Sequence, residues 1–215
     1  MSEVIENERS NVLYEVIKRI IDIVASFTGL IVLSPLMLVV SILIKLESKG
    51  EVIFKQKRVG LNGKEFYMYK FRSMVPNADE ILSKTLETDK VAAEQWRKYQ
   101  KLENDPRITK MGNKLRKTSL DEIPQMFNVL KGDMSMIGPR PLVIGELDAH
   151  KGNHEIYESV RPGITGWWAC NGRSATTYKK RLELEYYYCN NRSLWLDIKC
   201  VFLTIKAVLF KDGAK

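Results

Sequence analysis

From Ile20 to Ile44 the chain is almost wholly apolar, and that run restricts its folds more than any other feature. About 25 helical residues reach roughly 37 Å, enough for a hydrocarbon core of ~30 Å. The run is too long for a signal-peptide h-region and no Ala-x-Ala pattern follows it, so it is read as a retained anchor. Asp22, Gly29 and the pair Ser34-Pro35 interrupt it. Proline in mid-segment removes an N–H and pushes on the carbonyl of Ile31, so a bend is expected there, with the Ser34 hydroxyl placed to satisfy the freed carbonyl. Lys18 and Arg19 precede the run, and Lys45, Lys49, Lys55, Lys57 and Arg58 follow it. That bias puts the C-terminal side in the cytoplasm, while the basic N-terminal flank resists translocation. Length and charge leave two geometries open, a kinked single span, which they favour, and a re-entrant hairpin.

Residues 1–11 are polar and read as a mobile N-terminus, 12–46 as the membrane segment and 47–215 as one globular domain without internal repeats. The net charge of +8 calls for an anionic partner, and nucleic acid, lipid headgroups and phosphorylated small molecules all qualify. Cys170, Cys189 and Cys200 show no C-x-x-C spacing and are odd in number, which argues against a disulfide framework or a zinc site and fits a reducing compartment. His150 and His154 stand four apart, but Gly152 lies between them and no further ligand motif accompanies them.

The stretch Thr118–Pro141, TSLDEIPQMFNVLKGDMSMIGPRP, concentrates the chemistry. Ile123, Met126, Phe127 and Leu130 follow helical spacing and Gly132 stands where a C-cap belongs, so Asp121 and Glu122 are expected in a helix's first turn. Unpaired N–H groups and the macrodipole there would stabilise a carboxylate and attract phosphate. Ser119-Leu-Asp-Glu122 fits a capping box equally well. Pro124 argues that the helix begins at or after Leu120. Met134 to Ile137 read as a short buried strand or loop before Gly138-Pro-Arg-Pro141. Two prolines fix the backbone around Arg140, which suits bidentate phosphate binding, although a rigid turn with an incidental arginine has the same spelling.

Elsewhere, Asn62-Gly63 marks a hairpin between two β-like runs. Lys70 and Arg72 share one face of its second strand, either as phosphate ligands or as ordinary solvated charges. Residues 77 to 103 read as helical. Arg161-Pro-Gly and Asn171-Gly-Arg173 are turn signals. Leu194 to Phe210 is apolar around most of its circumference, with polar stripes through Asp197 and Thr204 and through Lys199 and Lys206. It reads either as a helix lying in the membrane interface or as a buried amphipathic one.

Together, TSLDEIPQMFNVLKGDMSMIGPRP, YKFRSM, GNKLRKTSLD, RPGITG and NGR resemble the bacterial sugar transferases, the monotopic polyprenyl-phosphate phosphoglycosyl transferases that begin glycan assembly on a lipid carrier. The resemblance covers nearly the whole chain after residue 13. It implies a mostly helical α+β fold: a small catalytic domain on the cytoplasmic face of the bacterial inner membrane, a re-entrant membrane helix broken at Ser34 and Pro35, and interfacial amphipathic helices. It reverses the preference for a span, and it puts Asp22 and Arg19 near the interface as a pair. The implied activity moves a phosphosugar from a UDP-sugar to polyprenyl phosphate, releasing UMP. Asp121 would be the nucleophile, and Glu122 its partner in holding Mg²⁺. Arg140 and Arg116 would bind phosphate, with Lys70, Arg72, Arg161 and Arg173 as further contacts. Membrane lipids are the implied surroundings, nucleic acid is not a partner, and a homodimer stays open. The chain departs from many members at Trp167-Trp168-Ala169-Cys170, so no sugar carries over. The alternative is a non-catalytic, membrane-anchored basic protein binding anionic lipid or nucleic acid.

Overall fold

The structure is a computed structural model that describes residues 2–99, 102–172 and 176–210, with side chains over 12–97, 102–172 and 176–206. It is mostly helical α+β. The long helix α1 (Ser2–Glu47) runs through Pro35 without interruption, and the Ser34 hydroxyl donates to the Ile31 carbonyl at 2.8 Å, the carbonyl that the proline frees. From Val12 the helix is long and apolar enough to cross a membrane, and most of its large apolar side chains are exposed, from Val12 through Phe27 and Val32 to Leu46. Among its described side chains the buried ones are Tyr14, Asp22, Ser26, Val40 and Ile44.

The chain divides into two compact units: Met1–Ser34, Lys55–Tyr69 and Pro124–Lys215 form the first, Pro35–Phe54 and Lys70–Ile123 the second. Two strands, β1 (Ile53–Val59) and β2 (Glu65–Phe71), are the arms of the hairpin, and Asn62 and Gly63 both take left-handed φ at its tip.

In the first unit α5 (Gln125–Lys131) ends at Gly132 in the left-handed conformation, the C-cap its position promised. Its buried face differs from the expected stripe: Gln125, Asn128 and Val129 are inside while Phe127 is half exposed. The reason is polar. Asn128 Oδ1 accepts the Tyr69 N–H at 3.0 Å and its Nδ2 donates to the Tyr67 carbonyl at 2.7 Å, so a buried amide completes the edge of β2. Met126 instead approaches Gly29 of α1 so closely that a Cβ at Gly29 would fall 2.9 Å from its sulfur. A short parallel pair follows, β3 (Ser135–Ile137) against β4 (Gly163–Thr165), with Ser135 opposite Gly163 and Ile137 opposite Thr165. Here GPRP and RPGITG meet backbone to backbone. Any Cβ at Gly138, Gly163 or Gly166 would collide with the facing main chain, which explains three glycines that turn chemistry alone did not require.

Behind this pair pack α6 (Glu146–Ala149), α7 (His154–Tyr157), α8 (Trp167–Cys170), α9 (Tyr178–Asn191) and α10 (Leu194–Phe210). Ile137, Tyr188, Leu196 and Cys200 form one core, and Leu142, Leu147, Tyr157 and Leu182 another. On α10 Leu196 and Cys200 face the core, but so does a charge, and a row of apolar side chains is left outside. Buried Asp197 accepts Tyr14 Oη at 3.0 Å, Lys18 Nζ at 2.7 Å and Tyr188 Oη at 2.6 Å, whereas Trp195, Ile198, Val201, Phe202 and Ile205 lie exposed. Arg19 and Asp22, expected as a pair, serve the fold separately. Arg19 donates to the Val129 and Leu130 carbonyls at the end of α5, and Asp22 accepts Ser135 Oγ and the Met136 N–H on β3.

In the second unit the segment expected to be helical over 77 to 103 is two helices, α2 (Ala78–Thr88) and α3 (Lys90–Tyr99). Asp89 between them accepts the Val91 and Ala92 N–H groups and starts the second. Next comes α4 (Lys110–Thr118), capped by Thr109 and laid so close to Ser73 that only glycine fits at 112. The C-terminal end of α1 is held here. Arg72 donates to the Ser48 and Lys49 carbonyls and to Ser48 Oγ, and Glu47 accepts the Met111 N–H at 3.1 Å.

Candidate active site

Asp121 and Glu122 lie neither in the first turn of an α-helix nor in a capping box. Leu120–Glu122 is a single 3-10 turn between α4 and α5, and Ser119, at φ 56°, makes no side-chain cap. The competing local use of Glu122 is therefore absent: its carboxylate accepts Lys70 Nζ at 2.6 Å instead. Arg116, at the end of α4, donates from Nε to Ser73 Oγ at 2.8 Å. The second unit thus assembles Lys70, Arg116, Asp121 and Glu122 from a strand end, a helix end and a tight turn.

The electrostatics also depart from the expectation. Three residues of 3-10 turn supply little dipole, and Asp121, 9% exposed, has its pKa raised. Burial is the main cause, with Glu122 adding to it and Lys70 and Arg116 opposing. Burial likewise pushes the Arg116 guanidinium below its ordinary value, against the pull of Asp121 and Asp105. A buried carboxyl with a raised pKa beside two cations is the kind of perturbed group that marks a candidate functional site.

Lys70 and Arg72 do not project together. Lys70 faces Glu122, whereas Arg72 donates to Ser48 and Lys49 just past the end of α1.

Arg140 and Arg161 belong to the first unit. Arg140 is exposed, with its guanidinium 5.8 Å from the Trp168 ring centroid, while Arg181 covers that ring at 4.9 Å. Arg161 Nε donates to the Gly132 carbonyl at 3.1 Å and so helps close α5. Arg173 lies outside the described residues. Sequence reasoning missed Glu185, which is fully buried, accepts the Arg140 N–H at 3.1 Å and has its carboxyl pushed up to about 7 by burial. It also missed Ser73, although that residue stands inside the YKFRSM element.

Among the described residues no three His, Cys, Asp or Glu side chains converge to hold a metal. The adjacent pair Asp121 and Glu122 still fits Mg²⁺, which binds through one or two carboxylates together with substrate phosphates.

Residues 13–211 match the family described as bacterial sugar transferase. The chain belongs to that family. It is 47% identical over 198 residues to an undecaprenyl-phosphate galactose phosphotransferase of Salmonella typhimurium, covering 92% of this chain and 41% of that protein. It is 42% identical to a UDP-glucose:undecaprenyl-phosphate glucose-1-phosphate transferase of Escherichia coli, covering 88% and 39%. With the exopolysaccharide production protein ExoY of Sinorhizobium fredii the identity is 41%, over 92% of this chain and 87% of the relative. The chain therefore spans about two fifths of the first two relatives and most of the third.

Proposed function

We propose that this chain is a phosphoglycosyl transferase that moves a sugar phosphate from a UDP-sugar to undecaprenyl phosphate. The observation that carries the reading is Asp121, buried and raised in pKa, between the Lys70–Glu122 pair and the Ser73-fixed Arg116. The names of the relatives supply the donor and acceptor classes. In the first step an Asp121 carboxylate oxygen attacks the sugar-bearing phosphorus. The bond from that phosphorus to the bridging oxygen breaks, and UMP leaves. In the second, an oxygen of the lipid phosphate attacks the same phosphorus and the Asp121 carboxylate departs, leaving a sugar on a lipid diphosphate. Arg116 and Lys70 offset the charge gathering on phosphate oxygens, and Arg140 binds phosphate from the proline-flanked loop. Bound Mg²⁺, held by Asp121 and Glu122, would neutralise the diphosphate. The relatives act on galactose and glucose, so the sugar is an experimental matter. The test is UMP release from UDP-galactose, UDP-glucose and UDP-N-acetylgalactosamine with undecaprenyl phosphate and Mg²⁺. Release from one of them is expected; vesicle binding with no release from any would favour the anchored, non-catalytic alternative.

The membrane helix is re-entrant in this reading, with both ends on the cytoplasmic face. Its early residues Tyr14, Lys18, Arg19 and Asp22 bond to segments after Pro124, and its last residues to segments before Ile123. The Ser34 hydroxyl, bonded to the Ile31 carbonyl, satisfies the group that Pro35 frees and so supports a bend at that pair. With the native cysteines replaced, a Ser2→Cys variant is expected to resist an impermeant maleimide in intact cells and to react after permeabilisation. Labelling in intact cells would establish a span.

A further inference from the structure

The segment Pro139-Arg140-Pro141 has a single N–H, because neither proline carries one, and that N–H is spent on a buried glutamate. Glu185, on α9, accepts it at 3.1 Å and is 1% exposed. The opposite side of the same residue is held as well: Tyr157 Oη, from α7, donates to the Arg140 carbonyl at 2.9 Å. The neighbouring peptides are tied independently. Gly138 N–H donates to the Thr165 carbonyl, Gly163 N–H to the Pro139 carbonyl, and Arg58 Nη1 to the Pro141 carbonyl. Only the side chain of Arg140 is left exposed.

An arginine that merely decorated a turn would need no such frame. A backbone carbonyl or a water serves an exposed loop N–H, whereas a carboxylate placed in the core to meet one costs desolvation that its own charge-assisted bond only partly offsets. The raised Glu185 pKa reflects that cost. What the arrangement secures is direction. With the peptides on both sides of its Cα fixed, the Arg140 side chain leaves the backbone along one line, and less ordering is needed when it meets a planar phosphate edge.

We propose that Glu185 and Tyr157 are positioning residues for the Arg140 guanidinium, holding the peptides before and after its Cα so that it meets donor phosphate pre-aimed. The proposal rests on the reading of Arg140 as a phosphate ligand. In this proposal Glu185 and Tyr157 act through Arg140 rather than on the substrate.

A double-mutant cycle on the full chain in nanodiscs tests it, using whichever of the three UDP-sugars releases most UMP and undecaprenyl phosphate as acceptor. Tyr157→Phe keeps the ring and removes the donor; it is expected to lower kcat/KM about 10-fold, chiefly through a higher KM for the UDP-sugar. Glu185→Leu is expected to lose more, about 50-fold, whereas Glu185→Gln, which keeps an acceptor oxygen, stays within about threefold of the parent. In an Arg140→Ala background Tyr157→Phe is expected to cost less than about twofold, because there is no guanidinium left to aim. An equal loss in both backgrounds overturns the positioning role alone, as does a Tyr157→Phe enzyme with parental kcat/KM. An Arg140→Ala enzyme with parental kcat/KM overturns it together with the phosphate reading of Arg140. Tyr157→Phe is nearly isosteric, so the cycle stands even where Glu185→Leu does not fold.

Discussion

Asp121→Asn is expected to abolish transfer, by about 1,000-fold or more in kcat, while leaving the chain folded and membrane-bound. An amide has the volume of the carboxylate but cannot form the acyl phosphate, and no other carboxylate in the site stands where Asp121 does. The stability readout should move the other way. The Asp121 pKa is raised in the folded chain, so ionisation opposes folding: the stability associated with its neutral form is present below the unfolded value and lost as pH rises through the folded one. Asparagine escapes that loss, so the variant is expected to melt at or above the parent temperature at pH 8, with the difference shrinking toward pH 4. Parental activity with an acid limb set by the raised Asp121 pKa should fall as the solution is acidified. UMP release and thermal denaturation in the same detergent measure both effects. A folded Asp121→Asn enzyme with full activity would remove Asp121 as the nucleophile.

Glu122→Gln should cost about 100-fold, through two losses at once. The 2.6 Å bond to Lys70 becomes neutral-acceptor, and Lys70 is then free to pair with Asp121 and quench it. The second carboxylate proposed for Mg²⁺ is also gone, so the variant should need a higher Mg²⁺ concentration for half its maximal rate. A titration of UMP release against Mg²⁺ separates the two. An unchanged Mg²⁺ requirement would leave Glu122 as the partner of Lys70 and nothing more.

The sequence made the long apolar helix, the hairpin turn and the Gly132 cap legible because each rests on local rules, hydropathy and left-handed φ. The inner face of α5 was not legible. Spacing pointed to Ile123, Met126, Phe127 and Leu130, of which Ile123 is buried, but the fold also buried Asn128 to complete a strand edge 59 residues away, a demand that periodicity cannot express. Arg72 was misplaced for a similar reason. Strand alternation put it beside Lys70, and only the three-dimensional course of α1 reveals a helix end that needs its guanidinium. Glu185 and Tyr157 were silent because nothing in a helical stretch of mixed polarity marks which acid faces inward. Gly138, Gly163 and Gly166 looked like turn residues, and their shared backbone contact emerged only with the parallel strands.

If the proposed membrane reading holds, the exposed apolar side chains of α10 and α1 would make lipid a thermodynamic component of the native state. Amphiphile bound to that folded surface would add to folding free energy by mass action, to the extent that it binds the folded chain more tightly than the unfolded one. The melting temperature of this protein is then a property of the lipid-to-protein ratio as much as of the sequence. Substitutions at Trp195 or Phe202 would act as changes in ligand affinity, invisible at saturating lipid and large when lipid is scarce.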